Sequence, residues 1–164
     1  MSTIHKGVNI NFNLEAIKGA VAAANAQTVI DFFSLYLKNR EHFYSLWVKE
    51  EPIVYLPFTT NDVAVCKQSI LKGWAEVKTF WDPIFDMKGT FDWTIDEMIV
   101  SENPDIIITK SRSKVNADTP PAFNNVHLSY EGSYLQIFHF EKGRVKSFEE
   151  YYDTDFLNRQ YAKK

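Results

Sequence analysis

The feature that most limits what this chain can fold into is its last long stretch, Gly132-Ser-Tyr-Leu-Gln-Ile-Phe-His-Phe-Glu-Lys-Gly-Arg-Val-Lys-Ser-Phe-Glu-Glu-Tyr-Tyr-Asp153. Apolar residues alternate on both sides of Glu141-Lys-Gly143, which predicts two strands joined by a tight turn. Successive side chains of a strand point to opposite faces, so Phe148, Glu150 and Tyr152 share one face while Ser147, Glu149 and Tyr151 share the other. The same rule groups Tyr134, Gln136, Phe138 and Phe140 against Leu135, Ile137 and His139 in the preceding strand. If the first face of each strand is the covered one, Glu150 is a carboxyl among aromatic rings, where burial disfavours its charge and moves its pKa toward neutrality. Two other arrangements fit the same residues: Glu150 paired with a Lys or Arg, or a register one residue off that turns Glu149 inward.

With 164 residues, 45% hydrophobic and 24% charged, the chain can bury one substantial core. Residues 1–27 are expected to form an N-terminal arm or Ala-rich helix, and residues 28–164 a single domain. The Ala-rich run before Thr28 has a small-residue pattern like a leader cleavage site, but Asn9, Asn11, Asn13, Glu15 and Lys18 occupy the place of an apolar core upstream. Thirteen Phe, eight Tyr and four Trp exceed what a core of this size needs and suit a pocket for a flat or carbocyclic ligand; an aromatic-rich core alone gives the same composition.

A net charge of −3 without a basic stripe argues against nucleic acid as a partner, and no apolar run approaches the roughly 20 residues needed to cross a bilayer. Cys66, the one cysteine, makes an internal disulfide impossible and suits a reducing, cytoplasmic setting. His5, His42, His127 and His139 are scattered, so no metal is expected. No phosphate loop, dinucleotide fingerprint or Gly-x-Ser-x-Gly elbow occurs, and the chain is expected to work without a cofactor.

Val29, Phe32, Phe33, Tyr36 and Leu37 recur at helical spacing, and Phe43, Leu46 and Trp47 resume it after Lys38-Asn39-Arg40, which predicts two helices or one broken helix. Ile70, Trp74, Val77 and Trp81 predict a second amphipathic helix stopped by Pro83. Pro52–Pro57 reads as an edge or strap strand. From Thr90 onward four strands are expected, near 91–101, 105–115, a long one ending at Glu141, and 144–153, with 116–126 a loop able to border a pocket mouth. Helices followed by an antiparallel meander make an α+β fold, a curved sheet wrapped over a helical layer.

These residues resemble the SnoaL-like, nuclear-transport-factor-2-like (NTF2-like) superfamily, and within it the PhzA/PhzB proteins of phenazine biosynthesis. The resemblance rests on Thr28-Val-Ile-Asp-Phe32 with Leu46-Trp47, on Lys72-Gly-Trp-Ala-Glu76, on Asn103-Pro104, and on Phe138-x-Phe140-Glu-Lys-Gly-Arg-Val-Lys146 followed by Glu149-Glu150, and it covers nearly all of the chain after residue 27. It implies an NTF2-like (SnoaL-like) cone, with a curved antiparallel sheet around an apolar cavity, and a homodimer formed through the outer face of the sheet. It also implies a catalytic glutamate at Glu150. The histidine that partners that glutamate in the PhzA/PhzB group has no counterpart: its place falls at or near Phe80, and no His occurs from residue 43 to 126.

The expected site therefore has Glu150 as general acid or base, with Gln136 and Tyr55 orienting polar atoms of the substrate. Tyr152, Phe148, Tyr134 and Phe138 are its expected walls on the sheet, with Phe80, Trp81 and Trp74 from the second helix; the helical spacing of the two tryptophans is more often that of core than of a ligand platform. Asp96 is a second acid to consider if it faces inward, whereas Asp82 and Asp86 read as helix-terminating residues. The expected function is a cofactor-independent acid/base enzyme of secondary metabolism acting on an apolar, cyclic or polyunsaturated small molecule by cyclisation, isomerisation, dehydration or condensation. The alternatives are a non-catalytic binding or assembly module of the same fold and, more remotely, an epoxide or lactone hydrolase.

Overall fold

In the structure, a computed structural model that describes residues 3–57 and 70–162, eight strands form one sheet in the order β1-β2-β5-β6-β7-β8-β3-β4. These are β1 (Thr3–His5), β2 (Val8–Ile10), β3 (Ile53–Tyr55), β4 (Ile70–Lys72), β5 (Lys88–Val100), β6 (Ile106–Asp118), β7 (His127–Glu141) and β8 (Arg144–Tyr152). Four helices accompany them: α1 (Ala20–Ser34), α2 (Arg40–Ser45), α3 (Gly73–Phe85) and α4 (Thr154–Ala162). Cys66 lies outside the described residues. No helix among those described is long and apolar enough to cross a membrane.

The four long strands predicted from alternation are present as an antiparallel meander, and the sheet becomes mixed at its flanks, where β2 joins β5 and β3 joins β8 in parallel. Here β3 is interior rather than an edge, because β4 pairs with its other side. The predicted second helix starts later than its apolar spacing implied: Ile70 belongs to β4, and the positive φ of Gly73 turns the chain from strand into helix. Pro83 does not stop α3. It sits in the last turn, where its fixed φ suits a helix and its missing N–H costs one bond, and the helix ends at Phe85.

The break between α1 and α2 falls where the sequence placed it. Leu37 takes a left-handed φ of 57°, and the Asn39 side chain accepts from the His42 N–H at 2.9 Å to cap α2. Two elements were not anticipated. The β1–β2 hairpin buries only Val8 and Ile10, too short an alternation to stand out. Helix α4 carries Leu157 and Tyr161 one turn apart behind Asp153, whose carboxylate accepts from the Phe156 N–H at 2.8 Å; that capping aspartate was its one sequence signal.

The core is a continuous cluster of rings between α1 and the concave face of the sheet. Phe32 is fully buried at its centre, stacked on Phe148 at 5.1 Å, edge-on to Phe138 at 5.1 Å, and packed with Phe43 at 4.7 Å and Trp81 at 5.6 Å. Asn25 ties the same helix to the β5–β6 turn, donating to the Pro104 carbonyl and the Asp105 carboxylate at 3.0 Å each. Removing the Phe32 ring opens a cavity among neighbours that are themselves locked, so Phe32→Ala is expected to lose about 3–5 kcal/mol of unfolding free energy in a urea titration. A loss below about 1 kcal/mol would mean that the helix-to-sheet packing is not built on this ring.

Candidate active site

The site is assembled by cross-strand register. On the concave face, Ile107, Phe138, Phe148 and Val54 stand side by side across β6, β7, β8 and β3, forming an apolar row under α1. The next concave row is polar: Thr109, Gln136 and Glu150 are direct neighbours on β6, β7 and β8. The row after that is Ser111, Tyr134 and Tyr152, followed by Ser113 opposite Gly132. Period-two alternation thus carries a glutamine and a glutamate into the interior beside fully buried phenylalanines.

The hydrogen bonds of this row have one direction. The Thr109 hydroxyl donates to Gln136 Oε1 at 2.8 Å and the Ser111 hydroxyl to the same oxygen at 3.0 Å. With its carbonyl doubly engaged, the Gln136 amide uses Nε2 to donate to Glu150 Oε2 at 3.2 Å. Glu150 is 7% exposed and Oε1 has no protein partner among the described residues. Burial raises its pKa to about 7, with the Gln136 hydrogen bond pulling in the opposite direction. Because Oε2 accepts the amide hydrogen, the proton of the neutral acid belongs on Oε1.

Glu150 lines a cavity of about 50 Å³. Tyr36, Phe80, Trp93, Tyr130, Tyr134 and Tyr152 surround the carboxyl, and Leu157 and Tyr161 of α4 close the far side. The Tyr134 hydroxyl exchanges a hydrogen bond with Ser113 at 2.9 Å and lies 3.5 Å from that of Tyr130. It can fold back over the strand because position 132 is glycine: a Cβ there would lie 2.5 Å from the Tyr134 hydroxyl oxygen. Burial, then the Glu150 charge, raises the pKa values of Tyr36 and Tyr134, and burial also leads for Tyr130, so all three remain neutral donors. The Tyr36 hydroxyl has no hydrogen-bond partner among the described residues. A second chamber of about 260 Å³ adjoins the first, and the two share Tyr130, Tyr134, Tyr152 and Leu157.

Of the residues singled out from sequence, the structure brings Glu150, Tyr134, Tyr152 and Phe80 together on the cavity. Gln136 sits behind Glu150 with its carbonyl occupied, so it holds the carboxyl instead of facing a ligand. Phe148, Phe138 and Trp81 are core rings packed on Phe32. Trp74 is further away, its indole N–H donating to the Lys49 carbonyl at 2.9 Å.

Tyr55 stands opposite Glu149 in the β3–β8 register, which puts it on the convex face and away from Glu150. Asp96 is not an inward acid. It follows Ile95 at a bulge and pairs with Arg112 at 2.7 and 2.8 Å, which holds its carboxyl below the usual range. Asp82 accepts from the Tyr44 hydroxyl at 2.6 Å, and Asp86 pairs with Arg40. Sequence reasoning missed Tyr36, Trp93, Tyr130 and Tyr161. Tyr130 was within reach, because continuing the Tyr134–Gln136 face two steps back along β7 passes through it.

No family model matches the sequence, and no curated protein matches it significantly. Among solved structures the chain is similar to a phenazine biosynthesis-related protein from Pseudomonas aeruginosa, with a TM-score of 0.67 at 16% identity over 90% of each chain. It is also similar to a Jannaschia protein described as a SnoaL-like polyketide cyclase, with a TM-score of 0.69 at 11% identity over 90% of this chain and 98% of that one. A third likeness is to a Mycobacterium tuberculosis protein solved in complex with estradiol-17beta-hemisuccinate, with a TM-score of 0.60 at 14% identity over 80% of this chain and 95% of that one. The fold is thus the SnoaL-like, NTF2-like cone.

The raised pKa of Glu150 makes stability depend on pH with a defined sign. The native state holds this proton up to about pH 7 and the unfolded chain releases it near 4.5, so stability is fullest below 4.5 and declines as pH rises through 7. The displacement corresponds to roughly 3 kcal/mol. Denaturant titrations of wild type and Glu150→Gln across pH 4.5–8 are expected to diverge by about this amount, with the variant the more stable at pH 8. Parallel profiles would show that the carboxyl is not desolvated in the folded protein.

Proposed function

We propose that the chain is a cofactor-independent acid/base enzyme of secondary metabolism that converts an apolar small molecule inside the cone by proton transfer. The observation that carries the reading is Glu150: a carboxyl with one oxygen held by Gln136, the other directed to a cavity, and a pKa near the working pH. In its ionised form Oε1 removes a proton from carbon or from a heteroatom, and in its neutral form it returns one. The Tyr36 hydroxyl replaces Tyr55 as the donor that polarises a substrate oxygen or nitrogen. Cyclisation, isomerisation, dehydration and condensation all draw on this pair. Aromatic walls supply shape and exclude water, so the reactive intermediate is held in one folded form.

The likeness to a phenazine biosynthesis-related protein and to a SnoaL-like polyketide cyclase supports this class of chemistry. The lack of a histidine at or near Phe80, where the PhzA/PhzB group is expected to have one, supports the second reading, a ligand-binding module of the same fold without turnover. We also place the protein in the cytoplasm as a homodimer. Ile99, Ile108 and Ile137 stand in register across the convex face with Leu135 beside them, an apolar patch suited to a second copy, and the lone Cys66 suits a reducing compartment.

Deuterium exchange separates the two readings without knowledge of the natural substrate. Wild type is expected to accelerate exchange of α-protons in a panel of small methyl ketones in D2O, followed by NMR. Glu150→Gln is expected to lower that rate a hundredfold or more while staying folded with at least the wild-type thermal midpoint. Exchange unchanged in a destabilised variant would assign Glu150 a structural role and favour the binding module.

A further inference from the structure

The two chambers carry a charge pattern that the acid/base reading leaves unused. The inner chamber holds one charged group among the described residues, Glu150, within a wall of rings. The outer chamber carries Asp153 along with Gly132 and Phe156; Glu131 also borders it, but it stands opposite Lys114 in the β6–β7 register and so has its side chain on the convex face. Among the described residues no Lys, Arg or His lines either space. Arg112 feels the charge of Glu131 but is already held by Asp96 in a two-pronged ion pair. Among the described residues the charged side chains on the concave side of the two chambers are therefore Glu150 within and Asp153 outside, both acidic.

The groups facing Glu150 complete the picture. Tyr36 comes from the segment after α1, Phe80 from α3, Trp93 from β5, Tyr130, Tyr134 and Gln136 from β7, Tyr152 from β8 and Tyr161 from α4. None of them bears a positive charge, and the ionisable ones are tyrosines, of which Tyr36, Tyr130, Tyr134 and Tyr161 have pKa values raised by burial. A buried carboxylate without a counter-ion is costly, and a ring of aromatic side chains attracts cations. An organic cation satisfies both, while an anion meets the like charge of Glu150.

We infer that the paired chambers are a site for a small organic cation, with an ammonium or iminium head no bulkier than a methylammonium against Glu150 in the inner chamber and an apolar body in the outer one. The size limit follows from the inner volume of about 50 Å³, too small for a ring, beside an outer volume of about 260 Å³. The inference rests on the acid/base reading and narrows its substrate to a molecule with a basic nitrogen. It also fixes the pH response: because the head pairs with the ionised carboxyl, affinity is full above pH 7 and falls as Glu150 takes up its proton.

Three ligands of one shape test this: N-methylbenzylammonium, its neutral isostere benzyl methyl ether, and phenylacetate, titrated calorimetrically against the full chain at pH 8. The ammonium is expected to bind at least tenfold more tightly than the ether, with phenylacetate undetectable. Its Kd is expected to weaken about tenfold per pH unit below pH 6. Glu150→Gln is expected to abolish the preference and leave the ether unaffected. Replacement Asp153→Asn, which keeps a capping side chain on α4, is expected to weaken the ammonium about twofold and flatten its salt dependence. Ether bound as tightly as the ammonium, or phenylacetate bound best, would overturn the inference while leaving deuterium exchange, and with it the acid/base reading, intact. Failure of all three to bind would overturn the cation site; loss of exchange as well would remove the acid/base reading with it.

Discussion

Everything at the centre of this protein depends on one row of side chains, Thr109, Gln136 and Glu150, that crosses three neighbouring strands on the concave face. Each member sets the next. Two hydroxyls saturate the Gln136 carbonyl, the amide is left only with hydrogens to give, and Glu150 is the acceptor in register to receive one. A buried carboxyl is thereby fixed at one oxygen and open at the other, without any cation among the described residues to keep it ionised. Had an arginine stood in place of Gln136, the same glutamate would be a permanently charged half of an ion pair and useless for moving protons near neutrality.

The rest of the architecture supplies what that row needs. The apolar row beside it, onto which Phe32 projects from α1, closes one side of the concave face and adds to the burial that raises the Glu150 pKa. At the other end Gly132 makes room for the Tyr134 hydroxyl to lie over the strand and meet Ser113. Helix α4 then closes the wall, with Tyr161 edge-on to Phe123 at 5.9 Å and Phe156 edge-on to Tyr130 at 5.8 Å. Stability and function pull against each other here, since the ionisation that equips Glu150 as a base is the state that the fold disfavours.

The sequence was most legible where a single periodicity decided the outcome. Alternation along β7 and β8 put Glu150, Gln136, Tyr134 and Tyr152 on one face, and helical spacing put Phe32 and Phe33 in the core. It was least legible where tertiary pairing decides. Tyr55 lies on a three-residue strand whose facing is set by its parallel partner β8, information that no local pattern contains. Gln136 was placed correctly but its role depends on Thr109 and Ser111, more than 20 residues away in sequence. Tyr36 belonged to an apolar helical series that reads as core, yet it falls two residues beyond the end of α1 and lines the cavity. A helix as short as α4, with one pair of buried apolar residues, gives too little signal to separate it from a tail.

The most direct measurement is the ionisation of Glu150 itself. In protein carrying carbon-13 at the glutamate side-chain carboxyls, the Glu150 resonance is identified by its disappearance in Glu150→Gln and followed as pH is varied. A titration midpoint near 7 is expected. A midpoint near the ordinary glutamate value of 4.5 would contradict it, because a carboxyl that ionises so readily is either hydrated or paired with a positive charge.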